Sequence, residues 1–321
     1  MRLTGKRAVI TGSSQGMGRE IALLLAREGT QIVVNSRASN ADGKAALDSV
    51  VSEVEKNGGT AIACAGPVND VGFAEELIST CVRVFGGIDI LVNNAGVFGL
   101  GAVDRVPLTH WQEVIDVNLN GTFYCARFAV AHMRAQRWGR VINCASGAAF
   151  GSIGGSCYAA SKGGVIALTY AMASDLGMYG ITTNAYTPQA RSRLSDTTSA
   201  GGFEKAMRSR LIRGYCDEAE YRYVLGMGGA EAIAPWVAYL CLEEADYING
   251  RVFFVEGRRI GLQLLPGDER TFFRDYAKHG AISLDELQQI APLVFPIKNR
   301  WPKRSNKEIE SMLAAIDPIY D

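Results

Sequence analysis

Short apolar runs recur through the first 260 residues, and segments with helical spacing of apolar side chains separate them. The runs fall at Arg7 to Thr11, Gln31 to Asn35, Thr60 to Ala65, Ile88 to Val92, Arg140 to Cys144, Ile181 to Tyr186 and Val252 to Val255. Runs this continuous mark strands buried on both faces, the habit of a parallel sheet covered by crossover helices. Helices are expected over Gly16 to Glu28, Asp42 to Lys56, Pro107 to Arg134 and Ser156 to Gly180. Another, capped by Asp70, is expected to turn Phe73, Leu77, Cys81 and Val84 inward. The fold class that follows is α/β, a doubly wound parallel sheet, which takes ligands beyond the carboxyl ends of its strands.

The first strand leads through Thr11-Gly12-Ser13-Ser14-Gln15-Gly16-Met17-Gly18 directly into a helix. Glycines there let the backbone turn tightly and approach a pyrophosphate, and the helix N-terminus supplies unpaired N–H groups with a partial positive charge. Glycine turns are common between strands and helices, so the strand before and the helix after are what give this one weight. The second strand ends in Val34-Asn35-Ser36-Arg37, with no acid to take a ribose 2′-hydroxyl. Ser36 and Arg37 fit a 2′-phosphate, against the alternative of a surface arginine in a turn. NADP(H) is therefore the expected cofactor, with NAD(H) the alternative.

Tyr158-Ala-Ala-Ser-Lys162 opens an expected helix, and its spacing places Tyr158 and Lys162 on one face. A cationic lysine beside a phenol favours the phenolate and lowers its pKa. Such a tyrosine exchanges a proton with a carbonyl or alcohol oxygen. Ser146 follows the fifth apolar run, at a carboxyl end where ligands bind.

Together these residues resemble the short-chain dehydrogenase/reductase family in its shorter form. The family's T-G-x-x-x-G-x-G pattern matches Thr11 to Gly18, its N-N-A-G matches Asn93 to Gly96, and its helix asparagine matches Asn118. Its serine matches Ser146, twelve residues before Tyr158, and Lys162 completes the set. The resemblance covers about residues 5 to 260. It implies a single Rossmann-like domain that moves a hydride between nicotinamide and a carbonyl carbon. Tyr158 would be the general acid in reduction and the base in oxidation. Ser146 would hold the substrate oxygen, Lys162 would tune Tyr158 and bind the nicotinamide ribose, and Asn118 would hold a water leading to solvent. Cofactor contacts are implied at Gly12, Ser14, Gln15, Gly16, Met17, Gly18, Ser36 and Arg37. Asn94 and Gly96 would line the adenosine side, with further contacts at Val68, Ala95 and Pro188.

The chain also departs from the family. Gln189 stands where a glycine usually follows Pro188, Arg193 stands near a usual threonine, and Gly66-Pro67-Val68 replaces an adenine-side aspartate. The Pro188-to-Arg193 run, with Asn249 to Phe253, resembles the dehydrogenase domain of peroxisomal multifunctional enzymes. The expected substrates are a cyclic ketone, a hydroxysteroid or a 3-oxoacyl thioester. A cofactor-binding regulator or a sugar epimerase/dehydratase is the alternative. A domain over 1–265 is expected, with a substrate-loop insert at about 188–230 and a helical extension over 266–321. Two capping boxes, Ser283 with Glu286 and Ser305 with Glu308, open the helices of that extension.

Composition narrows the partners. Lys+Arg and Asp+Glu both number 33, which argues against a nucleic-acid partner. Seven Cys with no C-x-x-C pair argue against a disulfide framework, and three scattered His against a His-built metal site. No apolar run approaches the ~20 residues that cross a bilayer. With no signal-peptide pattern at Met1, a cytoplasmic enzyme is expected, and the resemblance implies a homodimer or homotetramer.

Overall fold

The computed structural model describes residues 1–37, 40–151, 154–190, 228–257 and 259–263, with the single positions 208, 218, 305 and 307. Its strands are β1 (Arg7–Ile10), β2 (Gln31–Ser36), β3 (Thr60–Ala65), β4 (Ile90–Asn93), β5 (Gly139–Cys144), β6 (Ile181–Pro188), β7 (Val252–Glu256) and β8 (Arg259–Gln263). They form one sheet in the order β3-β2-β1-β4-β5-β6-β7-β8. Every neighbouring pair is parallel except β7 and β8. The order reverses between β1 and β4, which opens a crevice at the carboxyl edge.

Alternate residues of each strand face opposite layers. Ile10, Val34, Val92 and Ile142 meet α1 (Gly16–Arg27) and α2 (Ala41–Lys56) through Ile21, Leu25, Leu47 and Val50. Val9, Val33, Leu91 and Val141 meet α3 (Val71–Phe85) through Leu77, Ile78 and Cys81. Burial on both sides is why the strands read as unbroken apolar runs. The amino ends of the strands are pinned by ionic contacts. Arg7 makes paired bonds to Asp89, at 2.6 and 2.9 Å, and the fully buried Arg140 reaches Asp246. The carboxyl edge is left for the site.

Three expectations change. Val84 is 51% exposed, and Ile78 takes the inward place, because the buried face of α3 centres between Ala74, Leu77, Ile78 and Cys81. The helix expected over Pro107 to Arg134 is divided into α4 (Leu108–Ile115), a π turn (Asp116–Asn120) and α5 (Gly121–Gln136). The sheet also continues past its expected last strand: β8 pairs antiparallel with β7 and leaves Ile260 and Leu262 exposed. Among the described residues, the domain's further α-helices are α6 (Ser156–Leu176) and α7 (Ala234–Leu240). Among the described residues, no helix is long and apolar enough to cross a membrane. Residues Met1–Gln263 fall in one compact unit. The extension expected over 266–321 and most of the insert at 188–230 lie outside the described residues.

The Asp70 carboxylate caps α3 by accepting from Phe73 N at 2.7 Å. Asp70→Ala is expected to cost about 1 kcal/mol in urea unfolding. Leu77→Ala, which hollows the packed layer beneath α3, is expected to cost about 2–5 kcal/mol. A reversed order would contradict the packing described.

Candidate active site

The turn after β1 is built by close approach. Gly12 has φ +64°, and a Cβ on it would lie 2.7 Å from Ala95 Cα. A Cβ on Gly18 would strike the Gly12 carbonyl and stand 2.5 Å from Asn94 Nδ2. Gly16 differs: its φ is +57°, and a Cβ there would meet nothing within 4 Å. The α1 N-cap, Gln15, is extended and makes no side-chain cap bond, whereas Asn40 caps α2 and Asp70 caps α3. First-turn N–H groups, a positive helix end and open space above Gly16 fit a pyrophosphate. Ser14, Gln15 and Met17 lie on this turn and keep part or all of their surface open.

Asn94 braces the turn. Its Nδ2 donates to Thr11 O at 3.1 Å and Gly12 O at 3.0 Å, while Thr11 Oγ1 accepts from Asn94 N and Ala95 N. The Asn94 side chain is thus spent on the loop. At the end of β2, Asn35 turns inward, its Nδ2 on Cys64 O and Gly66 O. Ser36 is half-buried, and the exposed Arg37 lies 3.9 Å from Glu113. Val68 is 6% exposed and packed against Gly121, so its side chain belongs to the core. Pro188 ends β6, beside the β4–β5 carboxyl edge.

The other residues singled out in the sequence converge at the same edge. Lys162, on α6, is 3% exposed and donates to Cys144 O at 2.7 Å. A buried ammonium has three donors, and among the described residues this is its one hydrogen bond. Ser146 lies near the Tyr158 hydroxyl and pulls its pKa down, and Ser146 Oγ accepts from Ala148 N at 3.2 Å. Phe98 packs edge-on against the Tyr158 ring, with centroids 4.9 Å apart. Lys162 Nζ stands 5.9 Å from the centroid of that ring. Gly96 floors the gap, since a Cβ there would lie 3.1 Å from Asn118 Oδ1 and 3.4 Å from Lys162 Nζ.

Asn118 is fully buried in the π turn, a feature that recurs at functional sites. Its Oδ1 accepts from Val97 N at 2.8 Å, and its Nδ2 donates to Val97 O and to Ser161 Oγ, both at 3.0 Å. The side chain therefore clamps the loop after β4 to α6. Ser161 also donates to Tyr158 O at 2.9 Å, a link readable from its place three residues after the tyrosine. Phe98 and the Cys144 carbonyl carried no signal in the sequence.

Burial pushes the Tyr158 pKa above its ordinary value, and the neighbouring Ser146 opposes this. Burial pulls Lys162 down. The expectation that the lysine draws the phenol towards neutrality is thus outweighed by desolvation of both groups within the protein itself. In the loop after β4, a Cβ on Gly99 would lie 2.6 Å from Cys157 Sγ, and Gly101 pairs with Gly155 and donates to Gly154 O at 2.6 Å. These glycines permit close packing. Among the described residues, no cluster of His, Cys, Asp and Glu could hold a metal.

Comparison with known proteins agrees with this geometry. The family model for short chain dehydrogenase matches residues 6–197. A 3-oxoacyl-[acyl-carrier-protein] reductase of Synechocystis sp. is 36% identical over 257 residues, covering 79% of this chain and 97% of the relative. The hydroxyacyl-CoA dehydrogenase ChsB1 of Mycobacterium tuberculosis is 34% identical over 313 residues, covering 94% of this chain and 92% of the relative. The crystal structure of a short chain dehydrogenase from Mycobacterium avium superposes with a TM-score of 0.77 at 30% identity, covering 94% of this chain and 98% of that one.

Gly16→Ala separates a ligand's space from the protein's own packing. The strain of a side chain at positive φ costs roughly 1–2 kcal/mol. We expect a folded protein whose NADPH affinity, measured by fluorescence titration, is at least about tenfold weaker. Unchanged affinity would show that the open space does not serve a dinucleotide.

Proposed function

The chain belongs to the short-chain dehydrogenase family, an oxidoreductase acting on CH–OH or keto groups, and from that premise we propose that it interconverts 3-oxoacyl and 3-hydroxyacyl thioesters with NADP(H). The observation that carries the reading is the convergence of Tyr158, Ser146 and the buried Lys162 at the carboxyl end of β5, where Lys162 donates to Cys144 O at 2.7 Å and its Nζ stands 5.9 Å from the centroid of the Tyr158 ring.

The dinucleotide, when bound, supplies a hydride in reduction and accepts one in oxidation. Ser146 and Tyr158 receive the substrate oxygen between them. Tyr158 gives its proton to that oxygen as the carbonyl becomes an alcohol, and takes it back in the reverse direction. The Ser146 hydroxyl stabilises the charge that develops there. Lys162 keeps donors for ribose hydroxyls and stabilises negative charge on the Tyr158 oxygen. Asn118 fixes the Gly96–Val97 floor beneath both. Catalytic groups of this completeness favour an enzyme over a regulator on the same fold.

The thioester assignment draws on the relatives. One is named for 3-oxoacyl groups on a carrier protein, another for hydroxyacyl-CoA. Coenzyme A is the preferred carrier, because the match to the hydroxyacyl-CoA dehydrogenase leaves at most 6% of this chain uncovered and so runs well into 266–321. Ser36 and Arg37, with no acid at the end of β2, support NADP(H) over NAD(H). A homodimer or homotetramer is supported by the outward alanines of α6 (Ala160, Ala167 and Ala171) and by the 44% exposed Phe123 of α5. Free thiols at all six described cysteines support a cytoplasmic location.

Following NADPH absorbance across short and long 3-oxoacyl-CoA esters, cyclic ketones and ketosteroids tests the substrate class. The thioesters are expected to give the highest kcat/KM, and a steroid or cyclic ketone ahead of them would overturn it. Arg37→Ser is expected to raise the KM for NADPH at least about tenfold and leave that for NADH unchanged. Equal effects on both would remove Arg37 from the 2′-phosphate. Because burial raises the Tyr158 pKa, the proton donor persists through neutral and mildly alkaline pH. Reduction should hold level across that range, while oxidation, which needs the phenolate, should climb with pH. Reduction that collapses on rising from pH 7 to 9 would contradict the assignment.

A further inference from the structure

Tyr186 lies on β6, directly opposite Cys144 of β5, and its side chain is wholly buried. It belongs to the apolar layer with Ile10, Val92 and Cys144. A phenol buried among apolar groups needs a partner for its hydroxyl. That hydroxyl donates to Asn94 Oδ1 at 3.1 Å.

The bond to Asn94 settles a choice the amide would otherwise have. An amide presents an acceptor on one side and two donors on the other, and the two are nearly the same shape. Asn94 must aim its NH2 at the carbonyls of Thr11 and Gly12, since its oxygen there would face two other oxygens. With the NH2 so turned, the amide oxygen is left to accept from the Tyr186 hydroxyl, which holds the amide from its other side. Space for any adjustment is small, because Gly18 already approaches Asn94 Nδ2 so closely that a Cβ would stand 2.5 Å away.

We propose that Tyr186 is a positioning residue for dinucleotide binding: its hydroxyl locks the Asn94 amide against the Thr11 and Gly12 carbonyls and so sets the shape of the phosphate-binding turn. The inference rests on the dinucleotide reading above and adds a residue to it. The phenol leaves the chemistry alone. Lys162 is anchored by the Cys144 main-chain carbonyl, and β5 is held to β6 by its ladder and by Ala145 N donating to Tyr186 O at 2.8 Å, both independent of the hydroxyl.

Tyr186→Phe keeps the packing and removes the donor. NADPH titration is expected to show about five- to tenfold weaker binding, the result of leaving a buried acceptor unpaired. At saturating NADPH, kcat should stay within about twofold and its pH profile should not move, because effects on binding and on the chemical step separate in this way. In an Asn94→Ala background, Tyr186→Phe should add nothing, because the hydroxyl acts through that amide. Unchanged NADPH binding, a fall in kcat at unchanged affinity, or multiplying effects of the two substitutions would each overturn the proposal. If Tyr186→Phe does not fold, Asn94→Asp takes its place. It sets an oxygen against the Thr11 and Gly12 carbonyls, so NADPH binding must weaken, and unchanged binding overturns the proposal. Wild-type protein that binds neither NADPH nor NADH would overturn the dinucleotide reading as well. Wild-type binding that Tyr186→Phe leaves intact would overturn this inference alone.

Discussion

A charged amine with almost no contact with water, Lys162, is the element on which the site turns. Burying an ammonium is costly unless polar partners receive it. The receiving group is a strand-end carbonyl, that of Cys144, which the sheet holds in place. A parallel sheet turns its last carbonyls towards one edge, and a helix packed across β5 and β6 can lay a side chain on them. The helix that brings Lys162 also brings Tyr158, one turn earlier, under the edge of Phe98. One packing arrangement therefore fixes phenol, ammonium and floor at once.

The glycine turn after β1 depends on the same frame. Gly12, Gly18 and Asn94 occupy a space with no room for another carbon, and Tyr186 closes it from β6. Gly16 stands apart because the space above it is open. Within the turn, that contrast separates Gly12 and Gly18, which serve packing, from Gly16, which keeps space above it. Asn118 performs a matching task on the far side of the crevice, tying the loop after β4 to Ser161 of α6. The two ends of the crevice are thus held by asparagine side chains, each using its donors and acceptor within the protein.

Much of this was legible in the residues. The strands declared themselves because both faces are covered, and Thr11 to Gly18, Ser146, Tyr158 and Lys162 fell at the carboxyl edge that the strand order requires. What escaped the sequence has physical reasons. The π turn around Asn118 is a tertiary adjustment of an otherwise helical stretch, with no composition of its own. β8 is a five-residue edge strand with a glycine at its middle, too short for its alternation to stand out. Val84 fits the helical period but lies at the rim of the buried face. Tyr186 reads simply as one apolar member of a strand until its hydroxyl partner is known. The direction of the Tyr158 shift needed the burial of its surroundings, which spacing alone does not supply.

The central claim is spatial, and a crystal structure with bound NADPH and a 3-hydroxyacyl thioester tests it most directly. The account requires the nicotinamide ring beside the Tyr158 hydroxyl, the Lys162 ammonium on the adjoining ribose, and the substrate oxygen shared by Ser146 and Tyr158. A nicotinamide lying away from Tyr158, with Lys162 still bonded only to Cys144 O, would contradict it and leave the fold without the chemistry.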